Sequence, residues 1–385
     1  MDFNFTPEQE LFRSSVREFA DRYVRPRIKE MEENEEIPQD LLDRIAEQGF
    51  YGLRYAEEWG GQGGDNVLFA ILNEELAHCY MSVAARVMMQ CLMGTEFINL
   101  FGTEEQKRDF LVPAIKGEKY GTMCMTEPSG GTDLGAMETT AVRDGDEYVI
   151  NGQKSWITGA NAVDFYTVAA KTDPDAGFRG VDLFLMERDR PGVEVGKKID
   201  KLIALASGCY DLYFHEVRIP ADRLFGGKEG QGFTLLRNIL NDIRVHTAAL
   251  GLGIAKAAYE ESLEYARQRV AYGRPIIKWQ AIQHKLAKMR VEIDAAQLMI
   301  YYAAWRMDQG LNVNIEAATC KYFITEAVLR IVDDATRIFG AYGASMEMNI
   351  QRYFRDARWL LYGAGTQTMI LNIIANIIAA EIGKE

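Results

Sequence analysis

A change of hydrophobic periodicity divides this chain and limits the folds that it can adopt. Residues before about 120 and after about 230 repeat apolar side chains at helical spacing, as in the long apolar stretch 67–101. Between them, short β-rich runs such as "FYTVAAK" and "CYDLYFHEVRIP" alternate with turn residues. The pattern predicts an α+β protein with an N-terminal helical domain (1–120), a middle β-barrel or sandwich (121–225) and a C-terminal four-helix bundle (226–385).

Composition excludes several classes of function. The formal charge of −13 gives an acidic surface and speaks against nucleic acid as a partner. The start "MDFNFTPEQE" lacks the apolar run of a secretory signal, and "MILNIIANIIAAEIG" is too short to span a bilayer. The five cysteines and four histidines show no metal or redox spacing. We therefore predict a cytoplasmic protein with no transmembrane segment and no metal site.

Local signals predict three further details. Thr6, Pro7 and Gln9 form the pattern of a capping box that starts a helix. The stretch "INGQK" predicts a tight β-hairpin. The run that begins at "FTLLRN" predicts one long helix that ends at Gly273.

Four polar stretches are candidates for ligand binding, and each has an ordinary structural reading. "CMTEPSGGTDLG" can bring main-chain N–H groups to a phosphate or a ring, although it is not a G-x-G-x-x-G fingerprint and can be a plain loop. The tryptophan of "WITGA" can form a ligand platform or pack in the core. The arginines of "QRVAYGRPIIKWQ" suit a pyrophosphate or a helix cap. Arg244 in "NDIRV" can hold a carbonyl or phosphate, or lie on a surface.

The order of these motifs along the chain is more specific than any one of them. "MTEPSGGTD", "WIT", "GKEGQGF", "YGRPI..WQ", "IFGAYG" and "RDAR…GT" together resemble the acyl-CoA dehydrogenase family over essentially all 385 residues. The resemblance implies FAD as cofactor, a homotetramer, an acyl-CoA substrate and an electron-transferring flavoprotein as partner.

The resemblance also implies site residues, residue by residue. It assigns FAD contacts to Met123, Met125, Thr126, Thr132, Trp156, Thr158, Arg269, Gln280, Arg337, Phe339, Gly340, Thr366 and Thr368. The adenosine-diphosphate part would be reached from a neighbouring subunit by Arg269, Gln280 and the segment 337–341. It assigns substrate contacts to Thr132, Asn241, Arg244, Met89 and Gln90. Asn241 and Arg244 match the positions that hold the CoA moiety, where the family usually has aspartate at position 241.

The catalytic base of the family is missing from both of its usual positions. The family turn Tyr-Glu-Gly-Thr reads Tyr-Gly-Ala-Gly-Thr here, which places Ala364 at the glutamate position. The alternative position, on the helix before the arginine, is Ile243. Ala364 still offers its main-chain N–H to polarise the thioester carbonyl.

An extended substrate can react without a base at either position. In a 1-ene-1-carboxyl thioester the double bond transmits the acidifying effect of the carbonyl, so the γ proton is acidic. Some family members act on alicyclic CoA esters in anaerobic benzoate and cyclohexane-carboxylate metabolism, and these members resemble this chain at the altered turn. We therefore predict 1,4-elimination from cyclohex-1-ene-1-carboxyl-CoA to a cyclic diene. On the helix 83–100, Cys91 is either a displaced base or a buried thiol, since a cysteine with its reference pKa of about 8.5 is a poor base at neutral pH.

Two other readings fit the same residues. The chain can be an ordinary α,β-dehydrogenase of a short or branched acyl-CoA that uses an unrecognised acid. It can also be a CoA-ester-binding flavoprotein of low turnover. The sequence leaves the base, the acyl group, the electron acceptor and the direction of the reaction open.

Overall fold

The N-terminal region is helical, as predicted. A computed structural model describes residues 4–382 of the chain. The first 120 residues contain helices α1 to α8, at Pro7–Phe19, Ile28–Asn34, Gln39–Glu47, Asn66–Cys79, Met81–Met89, Glu96–Phe101, Glu104–Gln106 and Val112–Ile115. The predicted capping box is present, because the Thr6 side chain accepts from Gln9 N–H and the Gln9 side chain accepts from Thr6 N–H.

The long apolar stretch is divided into separate helices. Tyr80 adopts an extended conformation between α4 and α5, with φ −157° and ψ 117°. A π-helical turn at Gln90–Gly94 then follows α5. These breaks redirect the chain after α4 and again after α5. Helix α4 itself is buried along almost its whole length.

The middle region is one seven-stranded sheet. Its strands are β1 to β7, at Gly121–Cys124, Thr140–Asp144, Glu147–Thr158, Phe165–Lys171, Val181–Glu187, Val193–Lys198 and Cys209–Pro220. The strand order is β1-β4-β2-β3-β7-β6, and β5 pairs with β4 off this path. The strands form one curled sheet, in which β1 and β5 both pair with β4. They do not form the two separate layers of a sandwich.

The predicted hairpin at "INGQK" is wrong. The stretch lies inside β3, which runs unbroken from Glu147 to Thr158 and pairs with β2 on one side and β7 on the other. The hairpin turn comes earlier, between Asp144 and Glu147. Gly152 has φ 150°, and a Cβ there would meet Thr139, so glycine serves close strand packing at this point.

The C-terminal region is a bundle around one central helix. Its elements are α9 at Gly232–Gln268, β8 at Val270–Ala271, β9 at Arg274–Pro275, and α10 to α13 at Gln280–Asp308, Asn314–Phe339, Asn349–Asp356 and Gln367–Ile382. Helix α9 ends at Gln268, five residues before the predicted Gly273, because the chain turns into the β8–β9 hairpin. No helix within residues 4–382 is long and apolar enough to cross a membrane.

Helix α9 packs on two sides, and this arrangement decides which of its residues meet each other. A Cβ at Gly251 would contact Leu360 and Ile324, whereas a Cβ at Gly253 would contact the main chain of Glu74 on α4. Positions 244, 247 and 251 share the face toward α11 and the C-terminal turn, and positions 242, 246 and 253 share the face toward α4. We call these the turn face and the α4 face.

Candidate active site

The predicted glycine loop and the predicted tryptophan strand lie together. The loop leaves β1 after Cys124, and Thr126 O accepts a hydrogen bond from Ser155 N–H of β3 at 2.9 Å. Met123 is buried, whereas Met125 and Thr126 are half-buried and Thr132 is exposed. The contact therefore places the loop beside Trp156, as a shared flavin site requires.

A buried ion pair fixes this loop. Lys154 Nζ lies 2.7 Å from Glu127 Oε1, and Glu127 also accepts from the N–H groups of Glu138 at 2.6 Å and Thr139 at 3.0 Å. Burial lowers the pKa of Lys154. Burial acts to raise the pKa of Glu127, but Lys154 and the other donors hold it below its usual value. The contact between the two buried side chains therefore anchors the loop to the sheet.

Trp156 is shaped for ligand contact. It lies at a bulge between Lys154 and Ile157, has φ 62°, and keeps 53% of its surface exposed. A bulge with a left-handed residue turns a side chain away from the regular sheet face. Thr158 is half-buried, with its Oγ1 3.5 Å from Cys209 Sγ. An exposed indole beside a glycine loop fits a planar cofactor ring better than it fits core packing.

The residues assigned to the adenosine-diphosphate part lie elsewhere, at the ends of the C-terminal helices. Arg269 is exposed directly before β8, and Gln280 is exposed at the first residue of α10. Arg337 is exposed and pairs with Asp333 at 2.8 Å. Phe339 is buried and stacks on Tyr265 at 4.1 Å, which ties the end of α11 to the end of α9.

Gly340 follows with φ 63° at the end of α11. Within residues 4–382, no hydrogen bond or ion pair joins these five residues to the loop at 124–132. Exposed arginines on a separate surface agree with contacts made from a neighbouring subunit.

The C-terminal turn keeps a free main-chain donor at Ala364. Ala364 has φ 61° and Gly365 has φ 100°. Lys321 Nζ donates to Gly365 O at 2.7 Å and to Gln367 Oε1 at 3.0 Å. No group of the described residues accepts a hydrogen bond from Ala364 N–H. A rigid turn with an unused N–H is the arrangement that a thioester oxygen requires.

The threonines of this turn have different surroundings. Thr366 is half-buried, and its Oγ1 accepts from Met369 N–H at 3.4 Å, which helps to start α13. Thr368 is exposed on the first turn of α13.

The turn face of α9 carries a buried cation beside this turn. Arg244 Nη1 donates to Asn241 Oδ1 at 3.0 Å, and Asn241 Nδ2 donates to Asn314 Oδ1 at 2.6 Å. Arg244 is 9% exposed, and its Nε has no partner among the described residues. Burial lowers the pKa of Arg244, and burial together with Arg244 lowers the pKa of Lys321 to about 8. Ile243 next to it is buried and apolar, so neither familiar base position holds an acid.

Main-chain carbonyl groups of residues 50 and 51 lie beside Cys91 of the pocket helix. Cys91 is fully buried, and its Sγ lies 3.5 Å from Tyr51 O and 3.7 Å from Phe50 O. Burial raises the pKa of its thiol to about 12, so Cys91 keeps its proton at neutral pH and is a poor base. The buried-thiol alternative is therefore the better reading.

Gln90 makes hydrogen bonds to neighbouring main chain. Its Nε2 donates to Lys119 O at 3.0 Å and its Oε1 accepts from Gly121 N–H at 3.0 Å. These bonds join the pocket helix to β1. Met89 is half-buried and remains available to line a pocket.

A second charged cluster lies on the α4 face, and the sequence interpretation missed it. Arg54 Nη2 lies 2.6 Å from Asp242 Oδ2 and 3.8 Å from Glu96 Oε1, and His246 Nε2 lies 3.2 Å from Asp242 Oδ1. All four residues are largely buried. The signal in the sequence was a carboxylate at 96 within an apolar helix and an Asp-His pair four residues apart. The cluster joins the N-terminal region to the bundle.

Glu96 should make stability depend on pH. Burial raises its pKa to about 7, although Arg54 opposes the shift, and Asn99 donates to its carboxylate at 3.4 Å. Between pH 4.5 and pH 7 the folded chain keeps the proton on Glu96, whereas the unfolded chain loses it near pH 4.5. The contribution of Glu96 to the free energy of unfolding therefore falls as the pH rises toward 7. We expect the wild-type free energy of unfolding, relative to that of Glu96→Gln, to fall by about 2 kcal/mol across this interval.

Chemical denaturation of both proteins at several pH values measures this difference. Glu104→Gln, at an exposed residue of α7, is the matched control. A constant difference for Glu96→Gln would show that Glu96 is ionised in the folded chain throughout.

Known proteins match this chain over its whole length. Family models of the acyl-CoA dehydrogenase N-terminal, middle and C-terminal domains match residues 6–118, 122–217 and 230–379. The chain is 38% identical to benzylmalonyl-CoA dehydrogenase of Aromatoleum aromaticum over 380 residues, which are 99% of this chain and 100% of that protein. It is 38% identical to 3-(aryl)acrylate reductase of Clostridium sporogenes, over 97% and 98% of the two chains.

A solved structure agrees with these relatives. Butyryl-CoA dehydrogenase of Megasphaera elsdenii superposes with a TM-score of 0.95 at 35% identity, covering 98% of this chain and 100% of that one. The resemblance, the three-domain fold and the FAD cofactor predicted from the sequence are thereby confirmed. The chain belongs to the acyl-CoA dehydrogenase family and is an FAD-dependent oxidoreductase that acts on a CH–CH bond of acyl-CoA thioesters.

Proposed function

We propose that this enzyme oxidises a compact acyl-CoA that carries a ring, with cyclohex-1-ene-1-carboxyl-CoA and its 1,4-elimination to a cyclic diene as the alicyclic case. The observation that carries the proposal is the pair of apolar residues, Ala364 and Ile243, at the two positions where the family places its base. A site without a carboxylate there is poorly suited to removing the α proton of a simple saturated acyl chain. It suits a substrate whose reactivity is set by its own unsaturation or substituents.

The chain's own residues supply cofactor binding and polarisation. FAD would lie against Met125, Thr126, Thr132 and the exposed face of Trp156, with Met123 and Thr158 behind these residues. Thr366 and Thr368 would contact it at the C-terminal turn. Bound FAD would supply the acceptor for the hydride. Arg269, Gln280, Arg337, Phe339 and Gly340 would hold its diphosphate end from a neighbouring subunit of a homotetramer.

Substrate is held at the same turn. The free N–H of Ala364 would bind the thioester oxygen. Asn241 and Arg244 would hold the CoA moiety, and Met89 would contact the acyl group. Lys321 fixes the turn by its bond to Gly365 O, which keeps that N–H oriented without reorganisation. An electron-transferring flavoprotein is the proposed electron acceptor.

A second candidate substrate is an arylpropanoyl-CoA or its arylacrylyl product. The observation that favours it is the pair of relatives named for benzylmalonyl-CoA and 3-(aryl)acrylate, each 38% identical to this chain. Both acyl groups named there carry an aromatic ring. The alicyclic and aromatic candidates share a compact ring close to the thioester.

Anaerobic reduction of the bound flavin tests the proposal. The holoenzyme is mixed with cyclohex-1-ene-1-carboxyl-CoA, 3-phenylpropanoyl-CoA and butyryl-CoA, and loss of flavin absorbance is followed by stopped flow. We expect one of the ring-bearing esters to reduce the flavin at least about tenfold faster than butyryl-CoA does, which corresponds to about 1.4 kcal/mol in the barrier. Faster reduction by butyryl-CoA would overturn the ring assignment, and no reduction by any ester would favour a low-turnover binding protein.

A further inference from the structure

A buried arginine on the pocket helix lies close to the end of β3, the strand that carries Trp156. Arg86 belongs to α5 and is 8% exposed. Its Nη1 lies 2.9 Å from the place that a Cβ at Gly159 would occupy, and its Nη2 donates to Ala162 O at 3.4 Å. Gly159 directly follows Thr158, the last residue of β3. The guanidinium therefore fills the space beside the strand end that a side chain at position 159 would take.

Neighbours on two sides fix this arrangement. The guanidinium carbon of Arg86 lies 4.6 Å from the centre of the Tyr120 ring, and Tyr120 N–H donates to Asp164 Oδ2 at 2.7 Å. On the other side, Gly159 has φ 69°, and its N–H donates to Gly208 O at 2.7 Å. Glycine at this position allows both the positive φ and the close approach of the arginine. The charge of Arg86 is thus held at one place beside the strand end.

This charge is not cancelled by a neighbouring acid. Among residues 4–382, no carboxylate lies within ion-pair distance of the Arg86 guanidinium, and Asp164 attracts it only from further away. Burial lowers the pKa of this guanidinium, and Tyr51, Tyr120 and Asp164 oppose the shift. An arginine keeps its proton at neutral pH even so. A cation that is largely shielded from water acts on nearby charge more strongly than an exposed cation does.

We propose that Arg86 acts on the isoalloxazine ring of FAD, and that its positive charge raises the midpoint potential of the bound cofactor. The inference rests on the proposed placement of FAD at Trp156 and Thr158, and it does not depend on the identity of the acyl group. Accepting a hydride adds two electrons and one proton to the neutral ring, so the reduced ring carries one negative charge. A fixed cation beside the ring favours this charged form over the neutral oxidised form.

The ordinary alternative is that Arg86 only packs α5 against residues 159–162. A packing role would support FAD equally in its oxidised and reduced forms, whereas a charge acts on the reduced form alone. Only a difference between the two affinities moves the equilibrium between the two forms. The midpoint potential therefore separates the two roles of Arg86, and the affinity for oxidised FAD alone does not.

The experiment measures the midpoint potential of the holoenzyme by anaerobic reductive titration against a reference dye, with no acyl-CoA present. The dissociation constant of oxidised FAD is measured separately, from the flavin fluorescence released when the holoenzyme is diluted. The variants are Arg86→Met, which removes the charge and keeps an unbranched side chain, and Arg86→Lys, which keeps the charge. Arg108→Gln is the control, because it removes one positive charge at an exposed arginine of the N-terminal region.

We expect Arg86→Met to lower the affinity for reduced FAD, relative to oxidised FAD, by about tenfold or more, which lowers the midpoint potential by about 30 mV or more. Arg86→Lys should keep most of the wild-type potential, and Arg108→Gln should match the wild type. Weaker binding of oxidised FAD at an unchanged potential would assign Arg86 to packing and overturn the inference. An equal fall in potential for Arg86→Lys and Arg86→Met would also overturn it, because the charge would then not be the cause.

The wild-type holoenzyme offers a second measurement that needs no variant. The slope of its midpoint potential against pH counts the protons taken up with two electrons. We expect the potential to fall by about 30 mV per pH unit near neutral pH, since a negatively charged reduced ring takes up one proton. A slope of about 60 mV per pH unit would mean two protons and a neutral reduced ring, and would overturn the inference. Neither measurement uses an acyl-CoA, so the inference can fail while the ring-bearing substrate stands.

Discussion

A Lys154→Met variant is expected to lose about 3 kcal/mol of its free energy of unfolding and to bind FAD on the order of tenfold more weakly. Lys154 is fully buried, and its removal leaves the Glu127 carboxylate buried without its counter-ion. Glu127 also holds the N–H groups of Glu138 and Thr139, so a change in its charge or position loosens the loop at 124–132. Stability and cofactor affinity should therefore fall together.

Denaturant unfolding and FAD titration of the apoprotein measure both quantities. Lys198→Met is the matched control, because Lys198 lies in β6 of the same sheet and pairs with Glu35 at 2.6 Å where both side chains are partly exposed. We expect that variant to lose about 0.5 kcal/mol and to bind FAD normally. Adding Glu127→Gln to Lys154→Met should recover part of the loss, and similar losses for the two lysines would contradict the anchoring role of Glu127.

The order of helical and β regions could be predicted because both depend on local patterns. The capping box at Thr6 to Gln9 lies within four residues and formed as predicted. The failure at "INGQK" has the opposite cause. Asn-Gly is a strong hairpin signal over short range. Here β3 pairs with β2 as far as Asn151 and with β7 at Gly152, so the stretch stays within one strand. Contacts with distant segments outweighed the turn chemistry.

The site shows the same division between local and distant information. Motif order singled out the loop at 124–132, Trp156 and the altered turn at Ala364, because each lies in a continuous stretch. Cys91 was ambiguous in the sequence, since its burial depends on residues 50 and 51. The ion pair between Arg54 and Asp242 joins residues 188 positions apart, and no spacing rule connects them.

The two faces of α9 explain why neighbouring residues have different roles. Asp242 and Arg244 are two positions apart, so they point in different directions and belong to separate charge clusters. On the α4 face every charge has a partner, which suits a structural contact between domains. On the turn face the cation has none, which suits a ligand.

The second large effect is expected from Ala364→Glu, which should raise α,β-dehydrogenation of butyryl-CoA about a hundredfold by restoring a proton acceptor. Ala364 already has φ 61°, so a glutamate there adds no new class of backbone strain. Arg244 and Lys321 should keep the new carboxylate ionised, because nearby cations favour the charged form. The free N–H of residue 364 is unchanged and would still polarise the thioester.

The matched variant for this change is Ala364→Gln, which has the same size and no basic group, and it should leave the rate of flavin reduction by butyryl-CoA low. If Ala364→Glu leaves the butyryl-CoA rate unaltered, or Ala364→Gln raises it equally, the wild-type site already holds a competent base and the proposed reason for its altered turn is wrong.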